Sequence, residues 1–372
     1  MNGEEKFPEL YFREWPIETA SIEEPVEVWA DRVTAHQQIT NILEYLNSVD
    51  RTTLHLMWAD LGCGKTHTMG YIKYLCMTKY KNIYPLYTLV PNRVASFLDQ
   101  YKHIISAFNF DHIAEMVRAI IAEHGENYLV SRILGGRDEF YQIIRSISFG
   151  STDIKSIAKR WLNGTTNISR QELRLIGATR TIKNSDDALA VLQGLSRIVI
   201  DSFPGRRLLI MIDEFQRLHE SSDRISRNIG IGLHTFYNAV PRRLSILLSF
   251  AFRTKANVDV ILSPELRSRV DTRSVQLPEM SAEDVALFVK ELFNAYRTNK
   301  KPPSVLFPLH PDCLTVVIND ILTQEELVCP RGITNRIDRL LALSLSKIRN
   351  GDDPFISANE AKEILASVNI YT

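Results

Sequence analysis

The chain has 372 residues, 45% of them hydrophobic and 24% charged, the ordinary balance of a globular protein. Its 44 basic and 44 acidic residues cancel, which excludes the global basic excess of a dedicated nucleic-acid binder. No apolar run reaches the ~20 residues that span a bilayer, the opening Met-Asn-Gly-Glu-Glu-Lys lacks an export pattern, and Cys63, Cys76, Cys313 and Cys329 have neither zinc nor disulfide-framework spacing. These features exclude a membrane protein and place the chain in the reducing cytoplasm.

Residues 1–27 are rich in Glu and Pro with scattered aromatics (Phe7, Tyr11, Phe12, Trp15), which reads as an extended arm rather than a core element. Aromatics on such an arm pack on a neighbour, in the same or another subunit. Residues 33–48 alternate apolar and polar at helical spacing. The apolar run Leu54-His55-Leu56-Met57-Trp58 then leads directly into Ala59-Asp60-Leu61-Gly62-Cys63-Gly64-Lys65-Thr66. This is the phosphate-loop pattern between a strand and a helix, with Ala59 where the first glycine usually stands. Gly62 and Gly64 allow backbone conformations in which successive N–H groups converge on phosphate oxygens. Lys65 supplies a point charge to the β/γ-phosphates, Thr66 a hydroxyl to Mg²⁺, and the following helix the positive end of its dipole. The expected nucleotide contacts run from Gly62 through Cys63, Gly64, Lys65 and Thr66 to His67. Cys63 reads as a small loop filler, with an oxidation switch as the alternative.

A second strand is expected near 84–90. The stretch 93–200 is too long for a structureless connection and carries helical patterns broken at Gly125, Gly135-Gly136 and Gly164, so it reads as a helical insertion. It holds a basic group (Lys155, Lys159, Arg160, Arg170, Arg174, Arg180, Lys183), and Arg242, Arg243, Arg253 and Lys255 form another. Either can line a pore or a partner surface, or be a solvated helix face. Leu208-Leu209-Ile210-Met211-Ile212-Asp213-Glu214 reads as a strand buried on both faces that ends in two acids. Alone it is equally a core strand running into an acidic turn. Paired with Lys65 and Thr66, it makes Asp213 the second Mg²⁺ ligand and Glu214 the residue that polarises the attacking water.

Four further segments carry a resemblance. Leu244–Ser249 is a buried strand ending in a polar residue. Ser263-Pro264-Glu265-Leu266-Arg267-Ser268-Arg269-Val270 precedes Val275-Gln276-Leu277-Pro278. Cys329-Pro330-Arg331-Gly332 opens a helical pattern that includes Arg336, and Trp29-Ala30-Asp31-Arg32 precedes the first helix. In this order, with the loop and the acidic strand, they resemble the AAA+ ATPases and within them the initiator-like clade, over residues 26–349. The resemblance implies that Ser249 senses the γ-phosphate, that Arg267 or Arg269 reaches a neighbouring subunit's nucleotide, and that Arg331 or Arg336 is the lid sensor. It places Arg32 beside the adenine pocket. A looser similarity, on Trp161-Leu162-Asn163-Gly164, Leu175-Ile176-Gly177 and 188–200, is to ATP-binding proteins of BREX-type phage-defence systems.

The expected fold is therefore an α/β P-loop NTPase of the AAA+ type. It has a five-stranded parallel sheet of order 5-1-4-3-2, an arm (1–27), a nucleotide-binding domain (28–278) containing the insertion, and a helical lid (279–372). The resemblance implies ATP hydrolysis with Mg²⁺ in a homo-oligomeric ring or filament. The activity would drive an effector protein in a bacterial multi-protein system such as phage defence or transposition. The alternative is an ATP-dependent DNA-binding initiator or target-site module in which hydrolysis is secondary. The origin-recognition branch continues into a winged-helix domain for which this sequence leaves no room, so direct duplex recognition is not expected. A nucleoside kinase or GTPase is disfavoured because no second-substrate or guanine-reading motif follows the loop.

Overall fold

The computed structural model describes residues 6–17, 25–30 and 32–367. The chain divides into two compact units. One comprises residues 38–58 and 75–275; the other comprises 1–37, 59–74 and 276–372. The phosphate-loop segment thus groups with the C-terminal helices, a partition that differs from a simple cut near residue 278.

The first unit is built on a five-stranded parallel sheet of order β2-β3-β4-β1-β5, with β1 Thr53–Ala59, β2 Ile83–Leu89, β3 Arg207–Asp213, β4 Leu244–Ala251 and β5 Val270–Leu277. Read from the other edge this is the expected 5-1-4-3-2. Every residue of β1 and β3 is buried, and all of β4 except its last residue. That is why these strands read as unbroken apolar runs. Pro85 is tolerated because β2 is an edge strand, with one side free of ladder hydrogen bonds. Polar groups near the strand starts stitch the centre together. The Thr53 and Ser245 hydroxyls lie 2.9 Å apart, and the His55 ring sits between Thr53 Oγ1 and the Arg273 carbonyl, each at 3.0 Å.

The expected insertion is helical. It includes Phe97–Ser106, Phe110–His124, Asp138–Phe149, Thr152–Leu162, Arg170–Leu175 and Ser185–Asp201. Asn109, Ser169 and Asn184 cap three of these by accepting first-turn N–H groups. Their apolar faces form one core with the sheet. Much of the basic group is internally neutralised: Lys159 pairs with Asp111 at 2.9 Å, Arg160 with Glu172 and Arg180 with Asp187, both at 2.7 Å. Arg243 likewise lies between Asp50 and Asp201.

In the second unit, helices Ala282–Tyr296, Asp312–Thr323, Pro330–Arg349 and Ala358–Ser367 share a separate apolar core. The segment read as an arm rather than a core element supplies Leu10 and Phe12, both fully buried, to this core. The Phe12 ring meets Phe293 edge-on at 5.1 Å under the Arg297 guanidinium, and the Trp15 indole donates to Asp338 at 2.7 Å. The aromatics are spaced to fill a groove between lid helices, which composition cannot show. Residues 1–5 and 18–24 of that arm lie outside the described residues. No helix among those described is long and apolar enough to cross a membrane.

Candidate functional site

The predicted site residues fall into two groups, one in each unit. In the first group, β1 ends at Ala59 and the helix Lys65–Thr78 begins five residues after Asp60. Gly62 has φ +79° and Gly64 φ +85°. A β-carbon on Gly62 would sit a tight 3.2 Å from both the Arg331 Cβ and the Cys329 sulfur, and the positive φ favours glycine there. Lys65 is buried, and its ammonium donates to the carbonyls of Ala59 (3.3 Å) and Asp60 (3.1 Å), which holds the charge inside the loop. Thr66 follows in the first helical turn.

Arg32, with φ +61°, donates to the carbonyls of Cys63 (2.7 Å) and Pro278 (3.1 Å). It therefore braces the loop through its backbone. Asp31 of the same box lies outside the described residues. Trp29 packs on Tyr71 (5.0 Å), His36 (5.9 Å) and His67 (6.2 Å), and the His36 ring meets the Tyr71 hydroxyl at 3.1 Å. Burial, with Arg32 nearby, lowers the His67 imidazole to about 4, so it is neutral at physiological pH. The Trp29 indole N–H is buried with no hydrogen-bond partner among the described residues. An aromatic shelf with an orphan donor suits a flat, acceptor-bearing heterocycle. Trp29 was marked by the sequence box and His67 by the phosphate loop; Tyr71 and His36 lie on helices at ordinary apolar-face spacing and give no separate signal.

Arg331 stands at the start of the helix Pro330–Arg349. Its side chain is exposed and its N–H donates to the Gly62 carbonyl at 3.3 Å. Arg336 is instead buried, bonded to Asp320 (2.8 Å), Glu326 (2.9 Å) and Gln324 (2.9 Å) within the lid. Its guanidinium is committed to that network.

In the second group, the parallel register pairs Ile212 with Leu248, so Asp213 and Ser249 follow side by side at the carboxyl ends of β3 and β4. Both are buried. The Asp213 carboxylate accepts from the Glu214 N–H (2.8 Å) and the Tyr87 hydroxyl (3.2 Å). Burial and this carboxylate together push the Tyr87 phenol well above its usual range. The Ser249 hydroxyl has no hydrogen-bond partner among the described residues, an uncommon state for a fully buried donor. Glu214 sits in the left-handed region, φ +57°. Its carboxylate accepts from Gln216 Nε2 at 2.7 Å and lies 3.6 Å from Arg217. Gln216 also accepts from the Ala251 N–H (2.9 Å), and Arg217 donates to the Val90 carbonyl (2.8 Å). Tyr87, Gln216 and Arg217 were not singled out from the sequence. Gln216 and Arg217 follow the acids directly in the chain, and the parallel pairing of β2 with β3 brings Tyr87 to them.

Arg267 donates to the carbonyls of Asp259 and Leu262, closing the preceding turn. Arg269 is exposed, its guanidinium over the Tyr237 ring at 5.8 Å.

No family model matches the sequence, and neither does any curated protein. Solved structures do match. The Aeropyrum pernix ORC2 protein, solved as ADPNP–ADP complexes, aligns with a TM-score of 0.52 at 13% identity, over 95% of this chain and 71% of that one. The A. pernix ORC1 protein in complex with DNA gives 0.49 at 12%, over 92% and 66%. Domain III of the Thermotoga maritima replication initiation protein DnaA gives 0.43 at 11%, over 93% and 95%. This chain thus spans about two thirds of the ORC1 chain's length, the matched 66%. Sheet order, loop and match to ORC2 agree: the chain has the α/β P-loop fold of the AAA+ type.

Proposed function

We propose that this protein binds ATP with Mg²⁺ and hydrolyses it, acting as an oligomeric nucleotide-dependent switch. The observation that carries the reading is the loop itself: Gly62 and Gly64 at positive φ, Lys65 buried, and a helix beginning at Lys65. The buried Ser249 hydroxyl and Trp29 indole N–H, without hydrogen-bond partners among the described residues, also fit polar contacts to a nucleotide. Loop N–H groups and Lys65 hold the phosphates; Thr66 and Asp213 are the residues that would hold Mg²⁺. When bound, Mg²⁺ neutralises phosphate charge. Glu214 orients the attacking water, and Gln216 fixes the carboxylate. Arg331 serves as the lid sensor, because Arg336 is tied up in the lid. Arg269 serves as the intersubunit finger, because Arg267 closes its own turn.

The wider role follows as part of the proposal: the protein works in the cytoplasm and couples turnover to assembly with an effector protein, as in phage defence or transposition. DNA is the competing partner. The test is phosphate release with and without duplex DNA, at rising salt. Wild-type turnover abolished in Lys65→Ala supports the ATPase reading; no nucleotide binding by the wild-type protein overturns it. Stimulation by DNA that falls steeply with salt favours the initiator alternative.

A further inference from the structure

Glu214 stands at the turn where β3 gives way to the short 3-10 helix Phe215–Glu220. Its φ of +57° lies in the left-handed region that a residue with a long side chain rarely adopts, so the surrounding contacts must hold it there. Its N–H donates to Asp213 Oδ1 at 2.8 Å. Its carbonyl accepts from the Arg217 N–H at 3.0 Å, which closes the first turn of the 3-10 helix. Side chains three residues apart eclipse one another in that geometry. Local winding therefore sets Arg217 over Glu214.

Both partners of the Glu214 carboxylate reach the same oxygen. Gln216 Nε2 donates to Oε2 at 2.7 Å, and Arg217 Nε lies 3.6 Å from it. Oε1 has no hydrogen-bond partner among the described residues. The guanidinium is a planar fork, and a different nitrogen, Nη1, donates to the Val90 carbonyl at 2.8 Å. Val90 is fully buried directly beyond β2, and its N–H donates to the Asp213 carbonyl at 3.0 Å. Arg217 thus spans from the Glu214 carboxylate to the strand end that leads into the helical insertion. Both side chains of the ion pair are 26% exposed, so the pair adds little stability by itself. Its effect is geometric.

We propose that Arg217 is a positioning residue for hydrolysis: with Gln216 it anchors Oε2 of Glu214 and leaves Oε1 to accept from the attacking water. The anchor is fixed in turn, because the other arm of the fork is held by the Val90 carbonyl. A carboxylate secured at one oxygen keeps the second in one direction without rearranging during the reaction, which is how positioning lowers a barrier. Lysine is a single point charge and lacks the second nitrogen of the fork, so it can replace the attraction and not the span. This role rests on the assignment of Glu214 under the proposed function; the contact between Arg217 and Glu214 does not.

The test compares the full chain as wild type, Arg217→Met, Arg217→Lys, Glu214→Ala and the double variant Glu214→Ala/Arg217→Met. Three measurements are made: binding of a fluorescent ATP analogue, single-turnover phosphate release, and melting without nucleotide. Arg217→Met should bind the analogue within about twofold of wild type and release phosphate about tenfold more slowly, the scale of one contact to a charged group. Arg217→Lys should recover part of that loss. In the Glu214→Ala background, Arg217→Met should bring no further loss, because a residue that acts through another has nothing left to act on. The same loss in both backgrounds shows a merely structural role and overturns the proposal, as does unchanged turnover in Arg217→Met. Without nucleotide, the fall in melting temperature of the double variant should be smaller than the sum of the single falls. Strict additivity overturns the contact. A wild-type protein that hydrolyses no ATP overturns the ATPase reading and the hydrolytic role with it, while non-additive melting still supports the contact.

Discussion

The N–H of Arg331 donates to the carbonyl of Gly62 at 3.3 Å, joining the opening of the lid helix to the phosphate loop. One residue on, Arg32 holds the Cys63 carbonyl. The loop backbone is thus braced from two directions, by the backbone of one arginine and the guanidinium of another.

Lys65 and Glu214 should separate binding from turnover. Lys65→Ala removes a charge-assisted contact made in the ground state, so ATP affinity should fall on the order of 10- to 100-fold. Glu214→Gln should keep ATP binding and lower turnover on the order of 10²–10⁴-fold. Titration calorimetry and phosphate release measure the two. Near-normal turnover in Glu214→Gln would remove that residue from its assigned role.

Gln216 bridges Glu214 and the Ala251 N–H. Gln216→Ala should leave ATP affinity unchanged and lower the turnover number about tenfold, the scale of one hydrogen bond to a charged group. An affinity loss with intact turnover contradicts the positioning role.

Arg269 and Arg267 differ in what they already bind. Turnover should rise with protein concentration, and Arg269→Ala should abolish that rise, with a loss on the order of 10³ at saturation. Arg267→Ala should keep the concentration dependence while costing about 1 kcal/mol of stability through its lost carbonyl contacts. Light scattering beside the rate assay tests both; a rate per subunit independent of concentration in the wild type sinks the finger.

Arg336→Met should destabilise the lid by about 3 kcal/mol, because it leaves the largely buried Asp320 carboxylate without its partner. Arg331→Ala, at an exposed position, should change stability by less than about 0.5 kcal/mol and act on turnover instead. Urea unfolding followed in parallel with hydrolysis distinguishes them. Equal destabilisation by both changes contradicts the division of roles.

Glu360 accepts from Lys347 at 2.7 Å and from the Ser357 N–H at 2.8 Å, and these contacts hold its carboxyl down at about 2. The folded value lies below the unfolded one of about 4.3. Its contribution is therefore full above the unfolded value and is lost as pH falls from there through the folded value. Glu360→Gln should flatten the fall in thermal stability between about pH 5 and pH 3. Parallel melting curves for wild type and variant across that interval exclude the contribution.

The sequence by itself determined the fold class, the sheet order through its resemblance, and the strand and helix positions. Fully buried strands must be continuously apolar, and phosphate loops need glycine, lysine and threonine at fixed spacing; both are local properties of the chain. It could not show that Phe12 completes the lid core, that Arg336 rather than Arg331 is buried in an ion-pair network, or that Tyr87 meets Asp213. Each of these depends on which side chain lies across from which once distant segments are packed, and on how many donors and acceptors burial leaves to be satisfied. Only the tertiary structure decides that.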